Sequence, residues 1–297
     1  MDFQLTHCKL CPRKCGADRT VSFGFCGGEN GIRAARAALH YWEEPCISGT
    51  NGSGTVFFSG CHLHCCFCQN DPISNRNIGK QISPLQLAEI FLDLQRQNAH
   101  NINLVTGTHL LPWIIEALDI AKPALAIPVV YNCGGYELPE VIEMLKGYVD
   151  IFLPDFKFYN TETARNYANA PDYPAVAERA ISKMLEITGK PVFEGQIMKR
   201  GCIIRHLVLP GHRHESISLL HHLKNTFGTD DYLLSLMSQY TPMNKNPKYP
   251  QLNRRITKME YNSVLKAAQE LGFRGYLQDK SSAHDIYTPD FDNTGIA

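Results

Sequence analysis

Three cysteines, Cys61, Cys65 and Cys68, fall within eight residues directly after the apolar run at residues 54–59. In the segment GCHLHCCFCQN, which begins at Gly60, their spacing is C-x3-C-x2-C, with the aromatic Phe67 just before the last cysteine. Three thiols this close in sequence are not accidental packing. Three such ligands hold three irons of a cubane 4Fe-4S cluster and leave the fourth iron open to a small molecule, whereas an electron-transfer cluster usually takes four cysteines. A zinc site completed by His62 or His64, or a redox C-x2-C pair, is the alternative. Neither explains Phe67 or the loop's place after a strand. Cys66 is a bystander, because its neighbours already satisfy the spacing.

Around this loop the chain alternates short apolar or β-branched runs with longer helical patterns, as repeated βα units do. Strands are expected over residues 54–59, 101–106, 125–131, 150–153, 202–209 and 232–237. Helices are expected over 84–99, 110–121, 139–146, 175–188 and 215–226, several opening on a proline suited to a first turn. Right-handed crossovers would wind six such units into a curved sheet with ligands at the carboxyl ends of its strands. A loop at 241–253, a helix at 258–271 and the strand-like GYLQD follow. Residues 1–50 show no clear helix or strand periodicity. The expected organisation is an α/β chain: a Cys-rich segment at 1–50, a core at 51–240 and a helical extension at 241–297.

Lysine plus arginine equals aspartate plus glutamate, 29 of each. No global positive charge is present to recruit nucleic acid or an anionic membrane. No apolar run approaches the roughly 20 residues that span a bilayer, and MDFQLTHCKL lacks the apolar stretch of a secretory signal, so a cytoplasmic location is expected. In such a chain, eleven cysteines, most of them in two short segments, indicate metal ligation rather than disulfides. Cys46, Cys66, Cys133 and Cys202 are read as packing residues.

Cys8, Cys11, Cys15 and Cys26 have the spacing C-x2-C-x3-C-x10-C, with Gly16, Gly24, Gly27 and Gly28 letting the chain wrap. Four thiolates close a metal site. A structural zinc is the favoured reading, and a second iron-sulfur cluster feeding the first is the alternative.

The loop GCHLHCCFCQN resembles the signature of the radical S-adenosylmethionine superfamily. The longer run EEPCISGTNGSGTVFFSGCHLHCCFCQN, together with VDIFLPDFK, RHLVLPG, SLMSQYTP and YTPDFD, is similar to the branch of pyruvate formate-lyase activating enzymes over nearly the whole chain. The resemblance implies a partial (β/α)6 barrel and a 4Fe-4S cluster whose open iron chelates the amino and carboxylate groups of S-adenosylmethionine. It implies that one electron yields methionine and a 5′-deoxyadenosyl radical, which abstracts hydrogen in a water-excluded site. A reduced flavodoxin or ferredoxin-type donor, and a protein substrate such as a glycyl-radical enzyme, are further implications.

Carried onto this sequence, the resemblance marks residues at successive strand ends. Thr106-Gly107-Thr108-His109 takes the place of the family's Gly-Gly-Glu turn but lacks its glutamate. Backbone carbonyls, or a side-chain oxygen of Thr106 or Thr108, would then receive the methionine amino group. Asn132 matches a position near the cofactor ribose and is followed by Gly134 and Gly135, which permit close backbone approach. Asp155 and Lys157 resemble an Asp-Leu-Lys motif on one strand face: Lys157 would pair with the cofactor carboxylate while Asp155 orients Lys157 or a ribose hydroxyl. Arg205 interrupts the apolar CIIRHLVLPG and needs a buried partner, either the cofactor carboxylate or Asp155. Ser235, Met237 and Gln239 share a face of the sixth strand, and His212, His214, His221 and His222 read as surface residues. No residue is assigned a general acid or base role. The rival reading is a non-catalytic iron-sulfur or zinc protein serving electron transfer or protein interaction, and a radical enzyme acting on RNA is a third.

Overall fold

In the computed structural model, residues 5–243, 246–277 and 288–296 are described. The chain enters its sheet through β1 (Ile32–His40), passes α1 (Pro45–Ser48), and returns as β2 (Ser53–Phe58). Then come α2 (Asp71–Ser74), β3 (Lys80–Ile82), α3 (Pro84–Arg96), β4 (Ile102–Val105), α4 (Leu111–Ala121), β5 (Val129–Cys133), α5 (Pro139–Glu143) and β6 (Ile151–Pro154). The second half holds α6 (Thr161–Ala168), α7 (Tyr173–Thr188), β7 (Val192–Glu194), β8 (Ile197–Leu207), α8 (Arg213–Phe227), β9 (Leu233–Met237), α9 (Lys258–Glu270) and β10 (Gly275–Leu277).

The strand order is β10-β9-β8-β6-β5-β4-β2-β1-β3, with β7 paired to β8 as a hairpin. From β2 to β10 every neighbouring pair on this path is parallel and follows chain order. A sheet wound in one direction with a helix after each strand curls into an open, partial (β/α)6 barrel. The six expected parallel strands are present as β2, β4, β5, β6, β8 and β9. Helix starts follow their local chemistry. Ser83 forms a capping box with Gln86 at the start of α3, where Pro84 takes the first helical position, because neither residue leaves an amide unsatisfied there.

The first fifty residues depart from expectation. Residues 32–40 form β1, which pairs antiparallel with β2 and carries β3 on its other edge. The carboxyl end of the chain returns to the same strand: the Ala37 amide donates to the Thr294 carbonyl and the Asn293 amide to the Ala35 carbonyl. Of GYLQD, residues 275–277 form β10 and the rest lies outside the described residues.

Strand periodicity divides the core into two layers. Val56, Leu104, Tyr131, Phe152 and Cys202 stand side by side in register and are fully buried in the main cluster, which also contains α3, α4, α7 and α8 side chains. The opposite, inner face carries Val130, Ile151, Leu153 and Ile203, packed with Met198 and with Cys46 and Ile47 of α1. That apolar plug fills one end of the barrel. On the same inner face, towards the carboxyl ends of the strands, the sequence turns polar at Asn132, Asp155 and Arg205, and the interior opens.

Candidate active site

A cavity of about 220 Å³ occupies that opening. Cys61, Cys65 and Cys68 line one side, and Thr106, Asn132, Asp155, Lys157 and Arg205 line the other, together with Glu43, Phe58, Met237 and Gln239. They arrive at the ends of β2, β4, β5, β6, β8 and β9 or in the loops behind them, with Glu43 after β1, as expected for parallel strands that deliver their ends to one rim.

Arg205 is the hub of the floor. Its Nη2 donates to Asn132 Oδ1 at 2.6 Å, Nη1 to Glu43 Oε2 at 3.1 Å and Nε to Asp155 Oδ1 at 3.2 Å. Asp155 also accepts from Lys157 Nζ. Glu43 Oε1 accepts in addition from the side-chain amides of Asn103 and Asn132. Burial alone would push the Asp155 carboxyl upward, but Lys157 and Arg205 beside it hold it below the usual carboxylate range. Burial likewise works against the charge on Lys157, and the Asp155 carboxylate next to it overcomes this and raises its affinity for a proton. Asp155, Lys157 and Arg205 therefore stay charged, as mutually satisfied buried ions do. The alternative in which Arg205 pairs internally with Asp155 describes the observed contact, to which Glu43 is added. Arg205 is thus committed to three protein acceptors, while Lys157 Nζ donates to Asp155 Oδ2.

Two backbone features sharpen the rim. Thr106 adopts φ +60°, costly for a β-branched residue, and its amide donates to the Asn132 carbonyl at 2.9 Å. Gly135 has φ +76°, and a Cβ there would stand 2.0 Å from the Asp155 carbonyl oxygen. Only glycine lets the loop after β5 lie this close to the end of β6. Tyr173 fixes the same junction: its hydroxyl accepts from the Lys157 amide at 2.8 Å and reaches the carbonyls of Gly134 and Asp155.

Thr108 is placed elsewhere. It is fully buried, donates to Glu137 Oε1 at 3.0 Å, accepts from the Tyr131 hydroxyl at 2.8 Å, and does not line the cavity. Its side chain bonds one oxygen of a buried carboxyl that desolvation pushes up to about 8, so the structure places Thr108 in the core rather than on the cavity wall. His62 Nε2 faces the Tyr136 carbonyl at 2.7 Å. Both ring nitrogens of His64 are engaged, by Asn75 and by the Phe25 carbonyl, which argues against His64 as a fourth ligand. Met237 and Gln239 reach the cavity, whereas Ser235 is buried and bonds to Glu44. Cys46 and Cys202 are packed in the core, and Cys133 is buried yet also lines the cavity. His206 is held by the Phe156 carbonyl and Ser216.

The model of the family described as the Radical SAM superfamily matches residues 55–223. The chain belongs to the Radical SAM superfamily. An uncharacterized protein of Methanocaldococcus jannaschii is 31% identical over 274 residues, covering 89% of this chain and 75% of that protein. Among solved structures, methylornithine synthase is similar with a TM-score of 0.45 and 15% identity over 70% of this chain and 58% of its own. Streptococcus suis SuiB bound to S-adenosylmethionine is similar with a TM-score of 0.48 and 13% identity over 78% of this chain and 51% of its own. The chain spans about half of those solved proteins.

Membership in the Radical SAM superfamily implies a 4Fe-4S cluster and S-adenosylmethionine, and the donor set fits both. Burial pushes the thiols of Cys61, Cys65 and Cys68 up, Cys65 furthest, with Lys157 opposing in each case. Thiols held this way ionise on binding metal cations. Among the described residues no three His, Cys, Asp or Glu side chains gather as ligands of a single ion do. Opposite the three thiols, Lys157 offers a cation for a carboxylate, and the turn at Thr106 offers main-chain acceptors for an amino group.

Glu43 and Glu44 are the site residues that sequence reasoning passed over. Both stand in the quoted run EEPCISG, directly before the buried helix α1, and an acidic pair entering an apolar plug was the available signal. Glu44 is buried, and desolvation raises its carboxyl, with the Arg205 charge opposing.

Proposed function

We propose that this protein cleaves S-adenosylmethionine reductively and uses the resulting 5′-deoxyadenosyl radical to abstract hydrogen from a protein, the class of substrate that includes glycyl-radical enzymes. The observation that carries this reading is the convergence of Cys61, Cys65 and Cys68 with Lys157, Asp155, Asn132 and Arg205 on one cavity. In this reading the cluster, held by the three cysteines, supplies one electron to the sulfonium cofactor. The chain supplies position and charge. Lys157 pairs with the cofactor carboxylate, the carbonyls near Thr106 accept from its amino group, and Asn132 lies towards the ribose. Arg205 acts through Asp155 and Asn132, which it holds in place. Phe58, Val105, Leu207 and Met237 line the cavity beside these groups and restrict water. Activation of a glycyl-radical enzyme, and a flavodoxin or ferredoxin-type donor, rest on the resemblance of VDIFLPDFK, RHLVLPG and SLMSQYTP.

Anaerobically reconstituted protein reduced with dithionite is expected to release 5′-deoxyadenosine and methionine, and Cys61→Ala is expected to abolish this. Properly loaded protein that leaves the cofactor intact would refute the reading. Incubation with candidate glycyl-radical enzymes, against peptide and RNA controls, is expected to produce a glycyl radical signal by electron paramagnetic resonance.

A further inference from the structure

The amino-terminal cysteines are docked on the back of the cluster loop. The Cys26 carbonyl accepts from the Cys61 amide at 2.9 Å. The Arg13 guanidinium donates to the carbonyls of His62 at 2.9 Å and Ala168 at 2.7 Å. Cys8, Cys11 and Cys26 are buried there, Cys15 is at the surface, and none is in a disulfide. The Cys8 carbonyl accepts from the Gly16 amide at 3.1 Å and the Cys8 amide donates to the Ala17 carbonyl at 3.0 Å, which folds the chain at Cys15 back beside Cys8; Cys26 in turn feels the charges of Cys8 and Cys15, and Cys11 those of Cys8 and Cys26.

Two independent observations indicate that this group is built for a ligand. The first is a repeated backbone device. The amide two residues on donates to the sulfur at Cys61, from Leu63 at 3.4 Å, and the same i+2 donation recurs at Cys26, from Gly28 at 3.3 Å. Amides aimed at sulfur stabilise thiolates and the metals they bind. The second is Arg19, which is 1% exposed. Its guanidinium donates to the neutral carbonyls of His109 and Glu29, and its Nε is buried without a partner. It flanks Gly28 opposite the Cys26 sulfur: a Cβ on Gly28 would stand 2.7 Å from Arg19 Nη2 and 3.1 Å from Cys26 Sγ. The guanidinium also lies 5.1 Å over the Trp113 ring, and an anion beside a buried cation whose hydrogen bonds end on carbonyls stabilises it further.

We infer that Cys8, Cys11, Cys15 and Cys26 hold a second 4Fe-4S cluster, whose net negative charge Arg19 balances. The amide-to-sulfur bond at Cys26 repeats the one at Cys61 of the cluster loop. With four cysteine ligands this cluster has no open iron, so it does not bind S-adenosylmethionine.

The test uses full-length protein reconstituted anaerobically with iron and sulfide in the presence of zinc. Wild type is expected to hold about eight irons per chain, and the variant Cys61→Ala/Cys65→Ala/Cys68→Ala about four, with a reduced-cluster paramagnetic signal that S-adenosylmethionine does not change. The companion Cys11→Ser/Cys26→Ser is expected to hold about four, with a signal that the cofactor does change. Stoichiometric zinc in the triple variant, or about four irons in both wild type and companion, would overturn the inference. If the triple variant does not fold, the comparison of wild type with the companion decides.

Discussion

Arg205 Nη2 stands 2.6 Å from Asn132 Oδ1, a bond that ties β8 to β5 across the strand between them. With Glu43 and Asp155 on its other nitrogens, the guanidinium has an acceptor on each side. Arg205→Met would leave two buried carboxylates without their shared cation. The expected loss is about 3 kcal/mol of unfolding free energy, read from urea melts of the protein without cofactor. Arg205→Lys should recover only part of it, because an ammonium cannot match three directions at once.

Lys157 Nζ donates to Asp155 at the cavity, and in the proposed function it pairs with the cofactor carboxylate. Lys157→Met should weaken S-adenosylmethionine binding tenfold or more, as loss of about 1.5 kcal/mol or more from a charge-assisted hydrogen bond implies. Titration calorimetry checks this. The visible absorbance of the cluster should be unchanged, since Lys157 is not a ligand in this reading.

Thr106 holds a left-handed backbone that glycine adopts freely. Thr106→Gly is expected to raise stability by about 1 kcal/mol in thermal melts. Cofactor affinity should persist if the main-chain carbonyls do the binding. A large loss of affinity would assign the role to the threonine hydroxyl.

Glu260 anchors α9 to the loop ahead of α8. It accepts from Arg254 at 2.7 and 2.8 Å, from the Gly211 amide at 2.7 Å and from Thr257. The Arg254 hydrogen bonds hold its carboxyl well below the usual 4.5. A carboxyl depressed in the folded state stabilises fully above its unfolded pKa and loses that contribution as pH falls towards its folded value. Wild type should therefore lose stability from about pH 5 downward. Glu260→Gln should be less stable at pH 7 but show a shallower acid limb in urea melts at pH 7, 5 and 4.

The parallel strands and most helices were legible because each carries a period matched to its burial: β4 is INLV and fully buried, and α3 repeats Leu87, Ala88, Phe91 and Leu94 on its inner face. β1 was not. IRAARAALH is alanine-rich, with arginines at spacings that suit a helix as well as a strand, and its pairing with β2 decides the outcome. Spacing alone singled out Cys61, Cys65 and Cys68, which the structure brings to one cavity. Glu43 was not, because its role is set by reaching Arg205, 162 residues away, and no local pattern records that distance. Thr108 misled for the converse reason: it lies beside Thr106 in sequence, yet the chain turns it into the core.

The bond between the Cys26 carbonyl and the Cys61 amide also bears on how the holoprotein is made. Cys61 is held from behind by the segment that carries Cys8, Cys11, Cys15 and Cys26. If both segments hold iron as proposed, loading one should change how readily a scaffold protein can fill the other, and order of assembly would follow from this one bond.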